Sequence, residues 1–128
     1  MLTPVAIGPS VVVCNSCRRP DDPGGGARLV AALHAAQASD PRYAAIAVQS
    51  MPCLFACQES CTVHLRAPGK VSYVLGRFTP DEDAARAILD YAVHYAASDH
   101  GRVPFGQWPQ GVKGHFITRS PPEGYVAT

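Results

Sequence analysis

Hydrophobic residues along the chain fall into short blocks separated by Pro- and Gly-rich breaks, and each block has its own period. Val11-Val12-Val13 is a β-branched run of the kind a buried strand shows, and it leads directly into Cys14. The segment 18–26 holds Pro20, Pro23 and three successive glycines, so it reads as a loop. Over 27–38, alanine and leucine favour helix, with Leu29, Val30 and Leu33 forming an inward stripe before Ser39-Asp40-Pro41 stops it. The stretch 43–49 reads as a second strand and 53–60 as a short irregular or helical connector. The stretches 62–66 and 71–78 read as two further strands, and the Ala67-Pro68-Gly69-Lys70 connection makes them an antiparallel hairpin.

The last helix has the clearest signature. Thr79-Pro80-Asp81-Glu82 supplies a capping threonine, a proline in the first turn and a glutamate three residues after the cap. Ala85, Ile88, Leu89, Ala92, Val93 and Ala96 follow at helical spacing, and Gly101 is the expected stop. Residues 101–128 are rich in Pro and Gly and are expected to form an irregular tail packed on the body. Strand, helix, strand, connector, hairpin and helix is the layout of a thioredoxin-like α/β sandwich. The expectation is one domain over 1–128, with an approximately four-stranded mixed sheet and two main helices.

Composition narrows the classes. Of the 128 residues, 47% are hydrophobic and 16% charged, enough for a core without disulfide staples. A net charge of +1 excludes a strongly basic chain that holds nucleic acid by phosphate neutralisation alone. No run approaches the roughly 18–20 apolar residues of a membrane span. The first nine residues carry no basic side chain and two prolines, which argues against a signal peptide and makes the cytoplasm the expected compartment.

In a reducing compartment cysteines serve more often as ligands or catalysts than as disulfides, and an odd count of five fits pairing poorly. Cys14 and Cys17 have two residues between them; Cys53 and Cys57 have three, and Cys61 follows at the same interval. The two parallel strands of a strand–helix–strand unit end at one edge of the sheet, so both pairs are expected to arrive at one place. Four thiolates there suit an iron–sulfur cluster or Zn²⁺. A third reading is a dithiol enzyme at Cys14-Asn15-Ser16-Cys17. That chemistry uses a helix N-terminus to lower the thiol pKa, and here the Pro/Gly loop delays the helix by about ten residues.

Cys53-Leu54-Phe55-Ala56-Cys57, followed by a strand and then Lys70-Val71-Ser72-Tyr73-Val74-Leu75, resembles the second half of thioredoxin-like [2Fe-2S] ferredoxins. The gap before Cys53 and the second pair match that family, whereas the first pair is closer together than its pattern. Over 13–122 the chain also resembles a bacterial family of predicted metal-binding proteins. Met51-Pro52-Cys53-Leu54-Phe55-Ala56-Cys57, His64-Leu65-Arg66-Ala67-Pro68-Gly69-Lys70 and Val112-Lys113-Gly114-His115-Phe116 carry that likeness. The resemblance implies a [2Fe-2S] electron carrier with Cys14, Cys17, Cys53 and Cys57 as ligands, redox partner proteins and no substrate of its own. The association of the second family with cobalamin-biosynthesis genes implies a role in corrin or cobalt metabolism. A zinc- or cobalt-binding accessory protein is the alternative, and a homodimer is consistent with a carrier of this size.

Cys61 is either a substitute ligand or a core residue at the start of a strand. His64, between Val63 and Leu65, is expected on the opposite face from both, as a surface histidine in preference to a ligand. His115 with Lys113 and Arg119 is either a basic docking patch or part of a solvated tail. Arg18, Arg19, Arg66 and Lys70 are candidates for positive charge at the cluster edge, with ordinary surface charge as the alternative. Trp108, with Pro104, Phe105 and Pro109, reads as an anchor for the tail. No serine–histidine–acid arrangement, phosphate loop or dinucleotide fingerprint is present.

Overall fold

The computed structural model describes residues 2–16 and 24–128. The main elements are β1 (Ser10–Cys14), α1 (Gly25–Ser39), β2 (Ala47–Met51), β3 (Val63–Arg66), β4 (Ser72–Leu75), α2 (Glu82–Ala97) and β5 (Phe116–Ser120). Single 3-10 turns lie at Pro41–Tyr43, Cys57–Glu59, Phe105–Gln107 and Gln110–Val112. The five strands form one mixed sheet in the order β2-β1-β3-β4-β5, with only β1 and β2 parallel. This is the expected thioredoxin-like α/β architecture with one strand more than the sequence pattern indicated.

Strand periodicity assigns the faces. Val11 pairs with Leu65, Val13 with Val63, Val63 with Leu75 and Leu65 with Tyr73, so these side chains share one side of the sheet. They join Leu29 and Leu33 of α1 and Ile88, Leu89 and Ala92 of α2 in one core, all within 9% exposure. Across the sheet, Val12, His64 and Val74 are cross-strand neighbours. His64 therefore lies opposite Val63 and Leu65, as alternation predicts, but it is half-buried rather than on the open surface.

Desolvation, reinforced by Arg66, holds the His64 imidazole below its ordinary range. The folded state then binds fewer protons than the unfolded chain as pH falls below the unfolded His value near 6.5. Stability is expected to decline as pH falls from about 7 through that window, and His64→Gln to flatten the decline. Thermal melts of both proteins at several pH values would show it, and parallel slopes would exclude His64 as the cause.

Element ends depart from the sequence reading for local reasons. The α2 cap is Asp81, not Thr79: the Asp81 carboxylate accepts from Ala84 N at 2.9 Å, which puts Pro80 outside the helix. The helix ends at Ala97. Gly101 belongs to the following turn at φ +85°, where a Cβ would stand 2.6 Å from the Tyr95 ring. Residue 43 is in a 3-10 turn, not a strand, because Asp40 caps Arg42 N and the buried Tyr43 hydroxyl donates to Asp90 at 2.5 Å. β4 stops at Leu75, because Arg77 takes a φ of +63° that no strand continues through.

The stretch 101–128 is not uniformly irregular. Two 3-10 turns carry the chain past α2, with Gly111 so close to Ala87 that a Cβ would lie 2.6 Å from it. Val112 is fully buried, Gly114 turns at φ +83°, and β5 joins the sheet edge beside β4. Trp108 anchors this arm: its indole N–H donates to Val103 O at 2.8 Å and its ring packs against Phe116 and Tyr91.

Candidate metal centre

Cys14 ends β1, and Cys53 and Cys57 lie on the loop that follows β2 from the same edge of the sheet. Parallel pairing sets Cys14 beside Met51, two residues before Cys53. Backbone bonds lock that edge, from Asn15 N to Met51 O at 2.9 Å and from Cys14 N to Thr62 O at 3.1 Å. The Cys14 side chain is buried, and its thiol lies 3.7 Å from Pro52 O and 3.8 Å from Ser16 Oγ. Cys53 is half-buried and Cys57 exposed.

Between Met51 and the turn at Cys57–Glu59 the chain is a loop, and its shape brings two sulfurs together. Cys53 Sγ and Cys57 Sγ are 3.8 Å apart. Two thiolates on one tetrahedral ion at the usual metal–sulfur distance of about 2.3 Å are also separated by about 3.8 Å. The pair is thus spaced for one metal. Phe55, at φ +63°, points its backbone N–H at Cys53 Sγ at 3.3 Å. Its own ring is 98% exposed and buries nothing. Cys53, Phe55, Ala56, Cys57, Gln58 and Glu59 line an open cavity of about 420 Å³.

The loop is held from the far side by the β4–α2 connection and the C-terminal arm. Arg77 N donates to Glu59 O at 2.7 Å, and its guanidinium pairs with the Glu59 carboxylate at 3.1 Å and bonds Gly114 O. Gly76 N donates to His115 O at 2.8 Å, and His115 Nδ1 lies 2.8 Å from Gly76 O. The His115 ring stacks on Phe78 with centroids 4.4 Å apart. A Cβ on Gly76 would meet Glu59 O at 2.5 Å, so only glycine allows this close approach. The sequence pattern indicates neither Phe55 nor the Glu59–Arg77 pair; a glycine just after a strand is the only hint of the contact.

Cys17, Arg18 and Arg19 lie outside the described residues, and among the described ones no three Cys, His, Asp or Glu side chains converge to hold a metal ion. Cys61 is fully buried in the core, one residue before Thr62, whose carbonyl accepts from Cys14 N at 3.1 Å at the same edge. Arg66 and Lys70 are not at the cysteine edge: β3 runs antiparallel to β1, so Arg66 pairs with Ser10 at the other end of the sheet, and Lys70 donates to Ser98 O. Lys113 lies over the Phe105 ring, His115 faces Gly76, and Arg119 is opposite Tyr73. The start of α1, remote in sequence, returns to Cys14, since a Cβ on Gly26 would stand 2.3 Å from Cys14 O.

No curated protein matches the chain. Its structure is similar to that of a thioredoxin-like [2Fe-2S] ferredoxin from Aquifex aeolicus, with a TM-score of 0.60 and 20% sequence identity over 94% of this chain and 100% of that one. A 1.5 Å crystal structure of the wild-type ferredoxin of that description from the same organism gives 0.52 and 22%, covering 68% of this chain and 87% of the other. At such identities the likeness concerns the fold. Residues 11–122 match the DUF1636 family model, described as a protein of unknown function, and the chain belongs to that family.

Proposed function

We propose that the protein is a one-electron carrier that holds a [2Fe-2S] cluster through Cys14, Cys17, Cys53 and Cys57. The observation that carries the reading is the 3.8 Å separation of Cys53 Sγ and Cys57 Sγ on a loop beside the end of β1. The donor set fits the group: thiols are the soft ligands such clusters use, and the Phe55 N–H on Cys53 Sγ supplies the kind of hydrogen bond that tunes their potential. The fold is shared with proteins described as thioredoxin-like [2Fe-2S] ferredoxins. When bound, the cluster supplies reversible one-electron redox chemistry. The chain's own part is to hold the thiolates, shield Cys14 within the core and present Cys57 at the surface.

On this reading the protein is not an enzyme, and it works between redox partner proteins that dock on the loop edge. Among the described residues no helix is long and apolar enough to cross a membrane. The resemblance to proteins associated with cobalamin-biosynthesis genes makes corrin or cobalt metabolism the first place to seek those partners.

The test is an absorption spectrum of anaerobically purified protein, EPR after dithionite reduction, and an iron and zinc count. A red-brown protein with about two irons per chain and a signal only in the reduced state supports the carrier. A colourless protein with about one zinc per chain overturns it in favour of a zinc-binding role at the same loop. Absence of both metals with rapid thiol exchange at Cys14 or Cys17 overturns it in favour of a dithiol enzyme.

A further inference from the structure

A second concave site lies far from the cysteines in chain position, where the C-terminal arm meets the sheet edge. Tyr73, Arg102, Val103, Trp108, Phe116 and Arg119 line a cavity of about 380 Å³ there. Its floor is a packed aromatic cluster: the Phe116 ring is 5.3 Å from Tyr73 and 4.7 Å from Trp108, centroid to centroid. Two arginines line the same cavity. Arg119 pairs with Tyr73 across β4 and β5, which sets it on the aromatic side of the sheet, and Arg102 comes from the segment leading to Trp108.

These arginines have no structural employment. Arg42, Arg77 and Arg86 are each engaged by a carboxylate, and Arg66 by Gln49. Arg102 and Arg119 make no ion pair or side-chain hydrogen bond among the described residues, and no Asp or Glu lines their cavity. Both are exposed. Two cations brought to one concavity repel each other and favour an anion between them. Guanidinium groups bind carboxylate and phosphate oxygens in pairs, and an aromatic floor takes a flat ring by stacking.

We propose that this cavity binds a small planar anion, a flat ring system bearing a phosphate or carboxylate, with the ring against Trp108 and Phe116 and the anionic group between Arg102 and Arg119. The site does not depend on what the cysteines hold. Trp108 is the sole tryptophan of the chain, so its emission reports on this cavity.

The experiment uses the intact protein as purified and adenosine 5′-monophosphate as the probe, followed by Trp108 emission and by calorimetry. Adenosine tests the ring without the charge, and inorganic phosphate the charge without the ring. A saturable response to the monophosphate, with binding roughly tenfold or more weaker for each control and for Arg102→Ala or Arg119→Ala, is expected from losing a charge-assisted bidentate contact or the stacked ring. Both arginines are exposed, so their loss leaves the fold intact, which circular dichroism would verify. No saturable binding, binding unchanged in the two arginine variants, or equal binding of adenosine and its monophosphate would each overturn the proposal.

Discussion

On the proposed cluster reading, replacing Cys53 or Cys57 by serine is expected to bleach the protein and strip its iron, while replacing Cys61 by alanine leaves both intact. Cys53 and Cys57 stand at the separation of two thiolates on one metal, on an open loop, whereas Cys61 is fully buried among core side chains. Losing only a hydrogen-bond partner of a metal ligand already costs about 10- to 100-fold in affinity, so loss of a ligand should exceed that range. In Cys61→Ala the expected effect is on stability, on the order of 1 kcal/mol for a small buried group. Iron content, absorbance and a thermal melt on the three variants separate the roles. Retained colour in Cys53→Ser and Cys57→Ser, with bleaching in Cys61→Ala, would remove the loop pair from the centre and put Cys61 in it.

The second large effect is on the backbone around that centre. In Gly26→Ala the new methyl would stand 2.3 Å from Cys14 O and 3.0 Å from Asn15 O; in Gly76→Ala it would stand 2.5 Å from Glu59 O. These obstacles are mainly main chain, which cannot rotate aside as a side-chain end does. Either helix α1 must lift off the end of β1, or the Cys57–Glu59 turn must part from Arg77. Overpacking of this kind costs about 3 kcal/mol, and the melting temperature is expected to fall by on the order of 10 °C. Gly106→Ala is the control, because nothing lies within 4 Å of the place its methyl would take, and a change within about 0.5 kcal/mol is expected. Equal melting temperatures for all three variants would show that the two glycine contacts are soft.

The Gly76 variant also tests how far the metal loop depends on the arm. Glu59 O accepts from Arg77 N, and the Arg77 side chain reaches Gly114 O, so one displaced turn disturbs both the loop and the connection to β5. Faster loss of the proposed cluster at temperatures where the protein remains folded is expected from Gly76→Ala and from Arg77→Ala. Unchanged loss rates would confine the contact to a purely architectural role.

Much of this protein is written locally. The Val11-Val12-Val13 run, the Leu29/Leu33 stripe and the Ile88/Leu89/Ala92 stripe mark two helices and a buried strand, because burial of one face imposes a period that needs no knowledge of partners. The strand–helix–strand order alone predicts that the chain near Cys14 and Cys53 meets at one sheet edge, since parallel strands finish on the same side, and β1 and β2 pair in that way. Alternation was sufficient to put His64 opposite Val63 and Leu65.

What only tertiary structure decided concerns contacts between segments far apart in the chain. The start of α1 lies beside Cys14, a contact that the pattern of either element alone does not give. Arg66 and Lys70, candidates for the cysteine edge, lie at the other end of the sheet because strand direction reverses in β3. The stretch 101–128 looks irregular by itself because its Pro and Gly residues are turns, and Phe116 becomes part of a strand only where β4 offers an open edge. The 3.8 Å approach of Cys53 and Cys57 depends on a left-handed Phe55 and on Glu59 held by Arg77, and neither residue type announces such a backbone. Residue patterns carry what one element buries; the meeting of distant loops depends on how the elements pack.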